Sequence, residues 1–389
     1  VSQQLLRYAV PVVGTSLLQA IYSIVDMLVV SQMIGSAGAS GVNNASQFMT
    51  VLTQIAIGLS NGGNILVGQY FGAGDRENQE RTTGTFLTLF LLLGAGMSVL
   101  AAWVARPFMV FMGAPALEDA VSYLAVSAWG LLFIFFYNAL ASILRAVGNS
   151  KAPLLCILVS TVLNIVLDLL FVGPLGMGTA GAALATVIGQ AAAFLFAIFF
   201  LYRRRASFVF DFKPSSFAIQ SRELKVFLKL GLPITLQSNA VTFSMLFISS
   251  RANSFGLVAS AVYGVGQKLY SVVSIVSSSV QASAASVVGQ NMGAGRLDRV
   301  KQSVYWAWGG NLIAFVFVAS ASLLFPTQIF ALFDSSPEVL AMAPDYMFIN
   351  IFLFLGFFLM SPTLALINGV GFTMLNFLIG LLDGVVVRI

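Results

Sequence analysis

Histidine is absent from these 389 residues, cysteine occurs once, and charged side chains make up only 8% of the chain. Without histidine the protein lacks the side chain that most often serves as a general base or holds zinc. The single thiol, Cys156, sits in an apolar run, so no disulfide can close within one chain and no thiolate metal cluster can assemble. Neither a nucleophile elbow nor a Walker-type phosphate loop occurs. With so little for catalysis to work with, an enzyme is not expected, and no cofactor is implied. A cleavable signal pattern is missing too, and the chain opens on Val1 rather than Met, so the start of the gene product is expected to lie outside it.

What fills the chain instead is hydrocarbon. Hydrophobic residues make up 58%, including 34 Phe and 13 Met, and mean hydropathy is +0.93. Such a composition lies outside the range of water-soluble domains and makes lipid the solvent. Runs long enough to cross about 30 Å of hydrocarbon as roughly 20 helical residues begin near Tyr8, Ala39, Phe86, Ala120, Pro153, Gly178, Val226, Gly256, Val304, Val339 and Val370. About eleven spans are expected. The runs are too long and too continuously apolar for barrel strands, and lipid leaves exposed backbone groups no partner, so the spans must be helices.

Charge then orients the spans. Arg7, Arg76, Arg81, Arg145, Lys151, the cations from Arg203 to Lys229, and Arg296, Arg299 and Lys301 all fall on one set of alternating loops and ends. By the positive-inside rule that face is cytoplasmic, which also places the N-terminus inside a bacterial or archaeal plasma membrane. The net charge of +5 therefore reports topology and contact with anionic headgroups; dispersed over short loops, it does not mark a nucleic-acid binder. The expected division is a first lobe at residues 1–205 with helices one to six, a cytoplasmic linker at 206–225, and a second lobe at 226–389 with helices seven to eleven. A monomer in the bilayer is expected.

The two halves repeat. Gly68-Gln69-Tyr70-Phe71-Gly72-Ala73-Gly74 recurs as Gly289-Gln290-Asn291-Met292-Gly293-Ala294-Gly295, an offset of 221 residues. In nearly the same register Pro11 pairs with Pro233, Gly35 with Gly256 and Gly148 with Gly369. A helix end and turn would account for Gly-Ala-Gly but not for the shared spacing. Since six spans precede the second copy, both copies enter the membrane in the same direction, as in parallel transporter repeats. The second copy stops short, with Ile389 opposite Asp168, so a twelfth helix is expected to be missing and the second bundle to be truncated.

Carboxylates inside predicted spans are few: Asp26 in the first, Asp168 in the fifth, and Asp383 near the end. Such groups are costly and usually functional. Asn164 lies four residues before Asp168, and Ala182, Thr186 and Gln190 repeat that step in the sixth span, which gives each helix a polar facet. If helices one, five and six meet, Asp26, Asp168, Asn164 and Thr186 converge in low dielectric, where a close pair of carboxyl groups favours sharing a proton. Oxygen-only ligands equally suit Na⁺ at Asp26, Asn164, Asp168 and Thr186. The structural alternative is that each Asp holds helices together by hydrogen bonds.

Asn138 in the fourth span either supports that cluster or serves as interhelical glue. In the second span Asn43, Gln47 and Gln54, with Asn61 and Asn64, either line a wet cleft or bridge helices. The eighth span carries Lys268, Ser271, Ser274, Ser278 and Gln281 as one polar stripe, which either faces a substrate cleft or packs helices through small residues. Lys268 needs a partner or water in either case.

These pieces resemble the multidrug and toxic compound extrusion (MATE) family: an all-α polytopic membrane fold of two pseudo-symmetric six-helix bundles, with the Gly-Gln-x-x-Gly-Ala-Gly loop after the second and eighth spans and Arg145-Ala-x-Gly148 after the fourth. Tyr22-Ser-Ile-Val-Asp26 and Asn164-x-x-x-Asp168 are similar to the branch related to DNA-damage-inducible protein F. That resemblance implies a cation or proton site in the first lobe at Asp26, Asn164, Asp168, Ala182 and Thr186, with Asn138 alongside. The seventh and eighth spans have no carboxylate where the sodium-driven NorM-like branch keeps one, which argues against an ion site in the second lobe, and Leu366 stands where the repeat would place an Arg. The implied activity is export of drug-like, often cationic organic compounds in exchange for H⁺ or Na⁺. A lipid-linked oligosaccharide flippase of the same superfamily is the alternative, with Lys268 and Arg251 the candidate cations for a pyrophosphate. An aspartyl dyad at Asp26 and Asp168 is the sole intramembrane enzyme that the residues would allow.

Overall fold

The computed structural model describes residues 2–114, 116–203 and 210–387. Arg204 and Arg205, counted among the cytoplasmic cations, and Ile389, the end of the repeat, lie outside the described residues. Where described, the chain is helical throughout and contains no strand. Its helices are α1 (Ser2–Met33), α2 (Ser36–Ala73), α3 (Arg76–Phe111), α4 (Leu117–Ala146), α5 (Lys151–Val172), α6 (Gly178–Arg203), α7 (Ser221–Ser254), α8 (Leu257–Gly293), α9 (Leu297–Leu324), the short α10 (Pro326–Ala331), α11 (Pro337–Val370) and α12 (Thr373–Leu381), the last continued by a π turn at Leu382–Val387.

Nine of these, against the eleven expected, are long and apolar enough to cross a membrane among the described residues. The difference has two causes. Helix α2 has ample length at 38 residues, but Asn43, Asn44, Gln47, Gln54, Asn61 and Asn64 dilute its hydrocarbon. Helix α12 has nine residues before its helical geometry changes, short of the roughly 20 a span needs.

The fold shows the repeat in backbone angles. Gly35 and Gly256 precede α2 and α8 with φ of 90° and 100° and extended ψ, a combination that side chains with a Cβ avoid. Gly74 and Gly295 turn the chain at φ of 71° and 68° after the shared motif. One expected pair is corrected. Gly148, at φ 94°, matches Gly371, at φ 96°, rather than Gly369, because Gly369 is still inside α11, where its missing Cβ makes room for Val288. With that shift of two residues, Asn368 rather than Leu366 stands opposite Arg145.

Contacts gather the chain into two units, one of Gly14–Thr235 and one of Val1–Val13 with Leu236–Ile389. In the first, α4 packs against α2, α3 and α6, and α5 packs against α6. Phe86, Phe90, Phe135 and Phe227 form a buried aromatic core there, with ring centroids 4.6–6.1 Å apart. Ser142 crosses from α4 to the Ser60 carbonyl of α2 at 2.5 Å. In the second unit α8, α9 and α11 pack pairwise, and Asn311 of α9 ties them by donating to Ser277 and to the Phe358 carbonyl, both at 3.0 Å. Such side-chain crosslinks suit an interior with no water to satisfy polar groups.

The described part of the linker is docked on α3. Thr88 donates to the Phe217 carbonyl at 2.7 Å, Thr85 Oγ1 accepts from the Gln220 amide at 3.0 Å, and Ser216 Oγ donates to Glu80 at 3.1 Å. Phe210, Phe212 and Phe217 pack on one another beside it. Lys213 and the Ser216 hydroxyl hold the Asp211 carboxyl well below the usual carboxylate range, so this tie persists above ordinary acid pH and loosens only as pH falls through that lowered value. A Cβ on Gly84 would run into the Ser216 carbonyl, which makes Gly84 the floor of the docking site. Gly84→Val is therefore expected to lift the linker and to speed limited proteolysis at Lys213 of the purified protein. Cleavage at the parental rate would show that docking does not need this close approach.

Candidate functional site

The acidic pair comes together. Asp26, in the last quarter of α1, is 7% exposed and Asp168, near the end of α5, is fully buried, and each is the other's charged neighbour. They stop short of a well-formed hydrogen bond: Asp26 Oδ1, both Asp168 oxygens and both polar atoms of Asn164 are buried without a hydrogen-bond partner. Buried polar atoms are nearly always paired, and an ionised carboxylate left alone in low dielectric is costly enough to need a cation or a proton.

Helix periodicity and close packing hold the pair in place. Asn164 and Asp168 share one face of α5, one turn apart. That face meets α6 closely, because a Cβ on Gly189 would lie 3.2 Å from the Asn164 Cβ and 3.2 Å from the Ser160 carbonyl. On the same helix Thr186 Oγ1 shares a hydrogen bond of 3.0 Å with the Tyr22 hydroxyl, one turn before Asp26 on α1. Ala182, one turn earlier, is buried among Val29, Val30 and Tyr123. Five of the six expected residues, Asp26, Asn164, Asp168, Ala182 and Thr186, are thus gathered by three helices.

Asn138 is not gathered with them. Its amide donates to the Ile134 carbonyl of its own helix at 2.8 Å, and it sits eleven residues beyond Ser127 on α4, about 16 Å along the axis. What α4 contributes instead is Tyr123, whose hydroxyl neighbours Thr186, Ser127 and the Ser46 hydroxyl of α2. Sequence reasoning passed over Tyr123, Ser127 and Ser46. The four-residue step from Tyr123 to Ser127 was the available signal, and aromatic residues in an apolar helix gave no reason to read it as polar.

The residues expected at a substrate cleft scatter. Gln47 is exposed on α2. Ser271 and Ser278 are exposed and donate to carbonyls of their own helix, Gln267 at 2.9 Å and Ser274 at 2.6 Å. Gln281 is half-buried. Lys268 has the partner its position demands: its ammonium lies 5.5 Å from the Phe333 ring centroid, and it helps the Ser336 hydrogen bonds to hold the Asp334 carboxyl below its ordinary range.

Among the described residues no group of three or more His, Cys, Asp or Glu could hold a metal ion. Any cation at Asp26 and Asp168 would rely on two carboxylates supplemented by amide and hydroxyl oxygens, and the unpaired Asp26, Asp168 and Asn164 oxygens supply such a set. That chemistry fits a proton or a hard monovalent ion and offers nothing to a soft transition metal.

The chain matches the MatE family profile over residues 11–170 and 233–389. It is 30% identical over 363 residues to the probable multidrug resistance protein YoeA of Bacillus subtilis, a match covering 90% of this chain and 77% of that protein. It is 27% identical over 350 residues to the probable multidrug resistance protein YpnP of the same organism, covering 89% and 78%. In fold it is similar to the crystal structure of MATE in complex with MaD5, with a TM-score of 0.92 at 24% identity, covering 99% of this chain and 87% of that one.

The contact between α5 and α6 yields a prediction. Gly189→Leu is expected to lower the thermal unfolding midpoint of the purified protein, since overpacking costs about 1–3 kcal/mol. Gly96→Leu, on α3 with open space around it, is expected to stay within about 0.5 kcal/mol of the parent. Equal midpoints for the two variants would contradict close packing at Asn164.

Proposed function

The chain belongs to the MatE family of membrane transporters, and on that premise we propose that it exports drug-like, often cationic organic compounds by antiport with H⁺ or Na⁺ loaded at Asp26 and Asp168. The observation that carries the proposal is the set of buried carboxylate and amide oxygens without partners in the Gly14–Thr235 unit. The names of the Bacillus subtilis relatives support the substrate class.

The mechanism rests on differential affinity. With both carboxylates ionised, mutual repulsion and desolvation oppose their close approach, and a bound proton or Na⁺ removes the conflict. Because Asp26 belongs to α1 and Asp168 to α5, loading favours the arrangement in which these helices hold their acids together, and release favours one in which they separate. A ligand can shift such an equilibrium only by the difference in its affinity for the two states, and the coupling is reciprocal, so an organic compound that prefers the separated state drives release of the ion. The Tyr22 to Thr186 hydroxyl bond ties α1 to α6 one turn from Asp26, with the Tyr123 hydroxyl beside it.

The flippase alternative needs uncommitted cations for a pyrophosphate. Lys268 is engaged by Phe333 and Asp334, and Arg251 lies over Phe247 at 5.9 Å. Export is therefore the favoured reading.

In proteoliposomes under an imposed proton or sodium gradient, Asp26→Asn and Asp168→Asn are each expected to reduce driven transport of a cationic dye by at least about tenfold, the equivalent of about 1.4 kcal/mol of lost coupling. The gradient that drives the parent protein identifies the ion. Parental rates in both variants would end the proposal.

A further inference from the structure

At the end of the Gly14–Thr235 unit opposite Arg145 and Lys151, α4 and α6 begin and α1 and α5 stop. Arg106 of α3 and Glu118 of α4 cancel one another there in an exposed ion pair at 2.7 Å. Asp119 is left as the uncompensated charge: no cation pairs with it among the described residues, and the first turns of α2 and α6 contain neither acid nor base. Its partner is a neutral hydroxyl. Thr179, 3% exposed at the start of α6, donates to Asp119 Oδ1 at 3.4 Å. Asp119 itself is half-buried, and α2 fixes it in place, since a Cβ on Gly41 would lie 2.8 Å from the Asp119 Cβ and 2.9 Å from the Ala120 amide nitrogen.

From Asp119 a file of polar groups runs inward where α4 packs against α6. Asp119, Tyr123 and Ser127 follow at four-residue steps on one face of α4, about 6 Å apart along the axis, and Thr179 and Thr186 lie two turns apart on one face of α6. The Tyr123 hydroxyl neighbours Ser46, Ser127 and Thr186 and lies within electrostatic reach of Asp26. Ser127 Oγ is buried without a hydrogen-bond partner. Thr186 continues to the Tyr22 hydroxyl at 3.0 Å, and Tyr22 is within electrostatic reach of both Asp26 and Asp168. The packing around this file is hydrocarbon, from Val29, Val42, Ala120, Leu124 and Ala183. The file therefore joins the half-buried Asp119 to the acidic pair through a wall that offers an ion no other oxygen-bearing side chains.

We propose that Asp119 is the entry carboxylate for the coupling ion, gathering H⁺ or Na⁺ at this end of the unit and handing it along the Tyr123 and Thr186 file to Asp26 and Asp168. The proposal rests on the reading of that pair as the ion site and adds the route by which the site is filled. An uncompensated negative charge at a mouth with low-dielectric walls raises the local concentration of cations and repels anions. A proton taken up by Asp119 from water crosses by hydroxyl relay, each hydroxyl accepting one proton and releasing its own, so that Tyr123, Thr186 and Tyr22 end unchanged and Asp26 gains the proton. Na⁺ exchanges hydration waters for the same oxygens. An acid in a first helical turn also meets the positive end of the helix dipole, a purely structural role that the test below separates from ion entry.

An entry residue governs how readily the site fills, not what happens once it is full, so the readout is the dependence of dye transport in proteoliposomes on the concentration of the driving ion at fixed, low ionic strength. Asp119→Asn is expected to raise the half-saturating ion concentration at least about fivefold while the maximal rate stays within about twofold, and Asp119→Glu to stay within about twofold in both. Asp26→Asn lowers the maximal rate itself. Glu338→Gln, which removes an acid from the first turn of α11 in the other unit, is expected to change neither quantity. Arg106→Gln breaks only an exposed ion pair and frees Glu118 as a second negative charge at the mouth, so it is expected to lower the half-saturating concentration by about twofold or more; it decides the matter should Asp119→Asn not fold. Unaltered half-saturation in Asp119→Asn or in Arg106→Gln, with Asp26→Asn impaired, would overturn the entry role alone. Parental transport in Asp26→Asn would overturn the reading of the acidic pair and the entry role with it.

Discussion

Two carboxyl groups buried against each other in a helical interior are the constraint around which the Gly14–Thr235 unit is organised. Asp26 and Asp168 are almost wholly removed from solvent, and most of their oxygens have no hydrogen-bond partner. A pair of that kind persists only where packing holds it and where a proton or a cation can relieve it. The packing comes from the glycine contact between α5 and α6 at Gly189 and from the Tyr22 to Thr186 bond that ties α1 to α6. The α4 hydroxyl at Tyr123 backs that bond.

Many other interior polar groups are bonded, and the contrast sharpens the meaning of the acidic pair. Serines on α8 bond to carbonyls one turn back, Ser142 and Ser361 each reach a carbonyl on a neighbouring helix, and Asn376 bonds to Asn368. Lys268 rests on an aromatic face beside Asp334. Lipid penalises any polar group left alone; Thr83, Ser127, Ser244, Asn311 and Asn376 each keep one buried atom without a partner, whereas Asp26, Asn164 and Asp168 together hold five of the ten such atoms among the described residues.

The repeat supplies two scaffolds and the chemistry differs between them. The glycine conformations at 35 and 256, 74 and 295, and 148 and 371 are shared, as is the packing of the second helix of each copy against the fourth. One copy holds paired acids. The other holds a neutral space walled by tyrosines. Backbone turns are set by where φ must be positive, which few residues but glycine tolerate, whereas interior side chains can diverge as long as each polar atom is paired or put to use.

The sequence alone determined the solvent, the all-helical architecture, the doubled motif and the pairing of Asn164 with Asp168 on one face. Each of these follows from composition or from the period of a helix, and both are local. It also singled out Asp26, because a carboxylate in an apolar run is conspicuous wherever the run goes. Local periodicity cannot say which helices meet, so only the tertiary structure joined α1 to α5 and α6, recruited Tyr123 from α4 in place of Asn138, and turned Tyr263, Gln267 and Tyr270 rather than the serine stripe toward a cavity. Aromatic residues in a lipid-spanning helix look the same in sequence whether they face acyl chains or a binding space, and the neighbours that decide between the two come from distant parts of the chain.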